Sequence, residues 1–198
     1  PPNIAPIQVV VVPIYKNDDD LNKIKKYMEP VLEHLSNNKN SFYFDERQKL
    51  SPGFKFNEWE MKGVPIRIEI GMRDYNDNIL TIARRDTNVK NTVEFNKAEK
   101  FIINLLDDIQ ASLHNEALKF KNNNTFTINN YDEFKKIIIK GGFVRCGWDG
   151  NRITENKIKE ETNATIRCIP LDEKISKNLK CIYSGNAAKH EVVFAKAY

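Results

Sequence analysis

Cysteine and histidine are both scarce, with three of each in 198 residues. An odd number of cysteines with no close pair excludes the disulfide framework of a small secreted domain and points to a reducing compartment. The histidines His34, His114 and His190 are scattered, and the first two lie in helical patterns, as helix-surface residues do. Long apolar runs are also missing: nothing approaches the roughly 20 residues of a membrane span. The start, PPNIAPIQVV, has neither the charged n-region nor the small-residue cleavage site of a signal peptide. Together these absences predict a soluble, cytoplasmic chain with no membrane partner. There is no G-x-x-x-x-G-K-[ST] loop and no G-x-S-x-G elbow, and SPGFKF offers one glycine, too few for a phosphate loop. A large charge of one sign is lacking too. The formal net charge of +4 is well short of what binding nucleic acid by charge alone requires. The tracts KNDDDLNKIKK and KFKNNN read as compositional bias rather than function.

What is present is enough to build a core. Hydrophobic residues make up 40% of the chain, which suits one large domain or two small ones. IQVVVVPI (7–14) is a near-continuous β-branched run and predicts a buried, parallel strand. Asp18 to Asp20 supply first-turn acids for a helix carrying Leu21, Ile24, Tyr27, Met28, Val31, Leu32 and Leu35 on one face, broken locally at Pro30. FYF (42–44), VPIRIEI (64–70), NILTIARRD (78–86) and NTVEF (91–95) follow as strands. An amphipathic helix through Phe101, Ile102, Leu105, Leu106, Ile109, Leu113 and Leu118 closes this region. Alternation of strands and helices predicts an α/β domain with a mixed sheet and helices on both faces. Polar KFKNNNT (119–125) is the linker candidate, setting domains at 1–120 and 121–198. Beyond it, YDEFKKIIIKGG, TENKIKEETNATIRCIP and HEVVFAKAY predict helix, helix-strand and strand, a small α+β domain.

The densest chemistry lies in SPGFKFNEWEMKGVPIRIEIGMRD (51–74). Ser51 is an N-cap with Pro52 at the first helical position, and Gly63 stops the helix before Pro65. Val64, Ile66, Ile68 and Ile70 then alternate with Pro65, Arg67 and Glu69, the period of a strand with one apolar face. Phe56 and Glu60, four apart on the helix, project side by side. Arg73 and Asp74 follow the strand's carboxyl end, where open α/β sheets place ligand-contacting groups. An acid such as Glu60 or Asp74 can accept from guanine N1 and N2, Arg67 or Arg73 can donate to O6 and N7, and Phe56 can stack. Spacing alone equally fits surface ion pairs worth about 0–1 kcal/mol each.

DER, SPGFKFNEWEMKGVPIRIEIGMRD, ARRDT, KGGFVRCGWDGN, IRCIP, KCIYSGNAAKH and FAKAY together span nearly the whole chain. They resemble the anticodon-binding and C-terminal domains of prolyl-tRNA synthetases of the type found in eukaryotic cytoplasm and archaea. The resemblance implies that Glu60 and Arg67 face one anticodon guanine and Arg73 with Asp74 the other, with Phe56 alongside. The family often has lysine where Arg73 stands, and only arginine donates bidentately. Arg47, Lys55 and Lys62 are candidates for phosphate contacts that position the loop without reading sequence. The implied partner is the anticodon loop of tRNA(Pro). The implied parent enzyme is a class II ligase that joins proline to that tRNA with ATP and Mg, and is a homodimer. No stretch matches the arginine-bearing ATP motif of the class II active site, so no catalytic residue is expected here. PPNIAPIQVV resembles the point just after the catalytic domain, which is then expected upstream on the same polypeptide.

In that family four cysteines commonly hold a structural zinc in the C-terminal domain. Here Cys146 and Cys181 match two of the positions, Asn151 and Tyr183 occupy the other two, and Cys168 matches an apolar core position. Structural zinc needs four N or S donors, so no zinc is expected and the cysteines read as small buried hydrophobes. The resemblance also extends the carboxylate of Tyr198 toward the catalytic domain. Three other readings share the sequence. One is an anticodon domain for histidine, threonine or glycine, disfavoured by the long 52–71 run and the appended domain. Another is a stand-alone binding or regulatory module. A third is a metal-dependent hydrolase using His190 and the cysteines, disfavoured by the missing ligands.

Overall fold

A computed structural model of the chain describes residues 1–172, 176 and 178–197. Tyr198, whose carboxylate the resemblance concerns, lies outside them. The chain divides into two units, Pro1–Glu116 and Ala117–Tyr198.

In the first unit, the valine run forms β1 (Val9–Ile14) inside the sheet, between two neighbouring strands, and it is apolar on both faces. Next comes α1 (Asp18–Asn37), capped by the Asn17 side chain, which accepts from the Asp20 N–H at 2.8 Å. The helix runs unbroken through Pro30, contrary to the expected local break. Pro30 is exposed, so water can serve the carbonyl that loses its donor. Then follow β2 (Phe42–Phe44), α2 (Pro52–Met61) and β3 (Ile66–Gly71). A short α3 (Met72–Asp77), absent from the sequence reading, replaces the turn expected after Gly71. The unit continues with β4 (Ile79–Arg84), β5 (Lys90–Glu94) and α4 (Phe95–Asn124). The strand order is β2-β1-β3-β4-β5. β1 pairs parallel to β2 and β3, while β4 and β5 join antiparallel, so the sheet is mixed.

Alternation sorts the side chains by face. Val9, Val11, Ile66, Ile68, Ile70, Leu80, Ile82 and Val93 meet α1 and α4 in the main core. Val10 and Val12 meet Trp59 of α2 and Val64 on the other face. Residues paired in register with Arg67 and Glu69 share that second face: Ala83 and Thr81 on β4, then Lys90 and Thr92 on β5. This part of the sheet is polar, and Lys90 and Thr92 are exposed.

KFKNNNT, expected as a linker, instead forms the last turns of α4 and the first residue of β6. A fully exposed helix end and a linker are equally polar, so composition cannot separate them. The second unit then contains β6 (Thr125–Thr127), α5 (Tyr131–Ile139), β7 (Phe143–Trp148), α6 (Arg152–Thr162), β8 (Ala164–Cys168) and β9 (His190–Lys196). The sheet order is β6-β7-β9-β8. Phe134, Ile138, Val144, Cys146, Ile158, Val192 and Phe194 form its core.

Candidate nucleic-acid interface

Ser51 starts α2 as its N-cap, accepting from the Phe54 N–H at 3.3 Å. From that start, Lys55 and Trp59 fall on the buried side, and Phe56 and Glu60, about 100° further round, border the polar part of the sheet. A cleft of about 240 Å³ opens between α2, β3 and the β4–β5 turn, lined by residues including Trp59, Glu60, Arg67, Arg85, Asn88 and Lys90. The Arg67 guanidinium lies over the Phe56 ring at 4.5 Å, a stacked cation–π contact. Its Nη1 is 4.0 Å from Glu60 Oε2. The Glu60 side chain is about half exposed, at 48%. Its backbone carbonyl accepts from Arg85 Nε at 2.9 Å. Acceptor and donor fork thus meet in the cleft, which suits an exposed base carrying both donors and acceptors, while the Phe56 ring faces Arg67 and Lys90 instead of lining the cleft.

Arg73 and Asp74 are not brought into this cleft. They stand on α3, beyond the far end of β3, about 15 Å of chain rise from Arg67. Arg73 is 94% exposed and pairs with Asp77 at 3.9 Å. Asp74 Oδ2 accepts from the Gly71 N–H at 2.8 Å, capping α3. These two residues cannot share a base with Glu60 and Arg67.

Of the three phosphate candidates, Lys62 is half exposed, pairing with Glu58 at 2.7 Å and lying 4.4 Å over the Trp59 ring. Arg47 is partly exposed but committed, with a bidentate grip on Asp45 (2.8 and 2.7 Å) and a 2.7 Å contact to Glu58. Lys55, expected at a phosphate, is turned inward. Its side chain is buried, at 2% exposure, and donates to the Asp45 carbonyl oxygen at 2.9 Å, so it faces the interior rather than a phosphate. Asp45 is fully buried and also accepts from Trp59 Nε1 at 2.8 Å. Burial pushes its carboxyl up, but the hydrogen bonds from Arg47 and Trp59 outweigh this and hold it at about 2. Burial lowers the Lys55 ammonium, with Asp45 opposing.

Two residues of this wall were not singled out from sequence. Glu69 Oε1 accepts from Arg67 Nε and Nη2 at 3.1 and 3.0 Å, and Lys90 donates to Glu69 Oε2 at 2.9 Å. The signal for Glu69 was available: it stands two residues after Arg67 on an alternating strand and so shares its face. Lys90 lay one residue outside the expected fifth strand.

In the second unit, the four zinc-type positions have other partners. Asn151 Oδ1 caps α6, accepting from the Ile153 N–H at 2.9 Å. The Tyr183 hydroxyl donates to Glu161 Oε1 at 2.9 Å, beside the Tyr131 hydroxyl on Oε2 at 3.0 Å. Cys146 and Cys181 are buried, and burial, with Cys181 adding, pushes the Cys146 thiol up to about 12. Cys168 is exposed rather than buried, because β8 shifts register between Ile166 and Cys168. Among the described residues, no group of three or more His, Cys, Asp or Glu could hold a metal ion, and no helix is long and apolar enough to cross a membrane.

Comparison with known proteins places both units. Residues 8–105 match the family described as anticodon binding domain, and residues 131–198 match prolyl-tRNA synthetase, C-terminal. The whole chain is 44% identical to a proline–tRNA ligase of Phocaeicola vulgatus, 43% to one of Porphyromonas gingivalis and 44% to one of Flavobacterium johnsoniae. It spans 40% of the length of each.

Proposed function

We propose that this chain reads the anticodon loop of tRNA(Pro), a reading supported by the match of residues 8–105 to the anticodon binding domain family and of residues 131–198 to prolyl-tRNA synthetase, C-terminal. It would do so for a class II ligase joining proline to that tRNA. What carries the reading is the cleft in which Arg67, stacked on Phe56, stands beside the Glu60 carboxylate. One anticodon guanine is met there, Glu60 accepting from N1 and N2 and Arg67 donating to O6 and N7. The other is met by Arg73 with Asp74 at the opposite end of β3, a separation that suits two bases and not one. Lys62 and, in part, Arg47 contact phosphates.

In this reading the catalytic domain, with its ATP and Mg, belongs to the same polypeptide, the enzyme is a cytoplasmic homodimer, and the second unit is held by apolar packing without zinc. The eukaryotic and archaeal type rests on the motif resemblance, while the three relatives named above are bacterial.

Binding of the full-length protein to tRNA(Pro) transcripts tests the reading. Glu60→Ala or Arg67→Ala is expected to weaken binding to the natural anticodon by about 1–3 kcal/mol and to change little on a transcript whose guanines are replaced. Equal losses on both transcripts would reduce these residues to general affinity.

A further inference from the structure

Arginine carries five N–H donors in a rigid fork, and at Arg67 the structure accounts for one edge of it. Nε and Nη2 both point at Glu69 Oε1, at 3.1 and 3.0 Å. Nη1 lies 3.4 Å from the Phe56 carbonyl oxygen. By count one N–H on Nη1 and one on Nη2 remain, with Glu60 Oε2 4.0 Å from Nη1; the end-on edge of the guanidinium carries one N–H of each. Those two donors are parallel, the arrangement that grips two neighbouring acceptors bidentately.

Glu69 is built to stay where it is. It is 8% exposed, and the cleft is lined by Arg67 without it. Lys90 Nζ holds its carboxylate from the other side, at 2.9 Å from Oε2 and 2.8 Å from Oε1. The Phe56 ring under Arg67 fixes the plane of the guanidinium. A buried carboxylate with two cationic partners therefore decides which edge of Arg67 is satisfied internally and which is left for a ligand.

We propose that Glu69 is a positioning residue for base reading: by occupying the Nε–Nη2 edge of Arg67, it turns the Nη1–Nη2 edge toward O6 and N7 of a guanine. Lys90 is its counter-ion. The inference rests on the reading of the cleft as an anticodon site. It adds that selectivity at this base depends on an acid that never touches it. Without Glu69, the guanidinium is free to rotate about its long side chain. It then offers single hydrogen bonds to many acceptors, keeping charge attraction while losing the bidentate match.

The test uses the full-length protein and tRNA(Pro) transcripts in which either anticodon guanine is replaced by 7-deazaguanine, which lacks only the N7 acceptor. Wild-type protein is expected to bind the guanine transcript about fivefold more tightly at one of the two positions, the effect of one hydrogen bond. Glu69→Ala is expected to bring that ratio close to one by weakening the guanine complex, leaving the deaza complex within about twofold. Glu69→Gln, which keeps one acceptor oxygen for Arg67, falls between them and carries the test if the alanine variant does not fold. A wild-type preference that survives in the variants, or an equal loss on both transcripts, overturns the positioning role and leaves Glu69 as a support of the fold. A wild-type ratio near one at both guanines means that N7 is not gripped and overturns the role of Glu69, whereas the anticodon reading falls only if the guanine-replaced transcripts bind as tightly as the natural one.

Discussion

Replacing Asp45 by asparagine should destabilise the first unit by an amount that shrinks in acid. The carboxylate is fully buried and receives Arg47 twice, Trp59 Nε1 once and the nearby Lys55 ammonium at 3.6 Å. Its pKa falls from an ordinary 3.8 to about 2 in the folded chain. A folded-state value below the unfolded one means stability that is fully present above pH 3.8 and lost as the pH falls through about 2. At 1.36 kcal/mol per unit, the difference is worth about 2 kcal/mol. Asp45→Asn removes this term and leaves Lys55 facing a neutral partner in the interior, so at pH 7 the total cost should reach about 3 kcal/mol. Urea unfolding followed by tryptophan fluorescence in a Trp148→Phe background makes Trp59, which touches Asp45 directly, the sole reporter of its own unit. The gap between wild type and Asp45→Asn should narrow by about 2 kcal/mol between pH 5 and pH 2. A gap that stays constant across that range would refute the argument, because then the carboxylate's charge contributes nothing to the fold.

Lys62 and Lys55, two of the candidate phosphate contacts, should separate in salt titrations of tRNA binding. Lys62→Ala lowers the slope of log K against log salt by about one. Lys55→Met leaves the slope unchanged and shifts the unfolding midpoint instead. Equal slope changes for both would place Lys55 at the ligand. Metal analysis of purified full-length protein should find no stoichiometric zinc bound by the second unit, and a chelator should leave its unfolding midpoint unmoved. A midpoint that drops on chelation would mean that Cys146 and Cys181 recruit further ligands.

Most of the first unit was legible because its pattern is periodic. Alternation placed Ile66, Ile68 and Ile70 on one face of β3 and Arg67 on the other, and Ser51-Pro52 fixed the start of α2. Less legible was anything decided by a contact across the chain. Lys55 has the same sequence signature as any surface lysine, and contacts with Asp45, ten residues away, draw it inside. The helix α3 depends on the Asp74 side chain bonding back to Gly71, a local cap hidden within residues that were weighed for base contact. Cys168 turns outward at a register shift, which no residue pattern announces. The same holds for the site. Phe56, Glu60 and Arg67 were identified by type and spacing and do converge, whereas the strand's far end carries Arg73 and Asp74 away from them.

A cylinder resting on a sheet can roll about its own axis unless something indexes it. For α2 the index is the interior charge: Lys55 and Trp59, one turn apart, are both fastened to Asp45. Whatever angle that latch imposes is also the angle at which Phe56 and Glu60 are offered to the solvent. If the cleft meets a base as proposed, the angle at which it does so is set from below by a buried residue, and a change at position 45 would turn Phe56 and Glu60 without touching either.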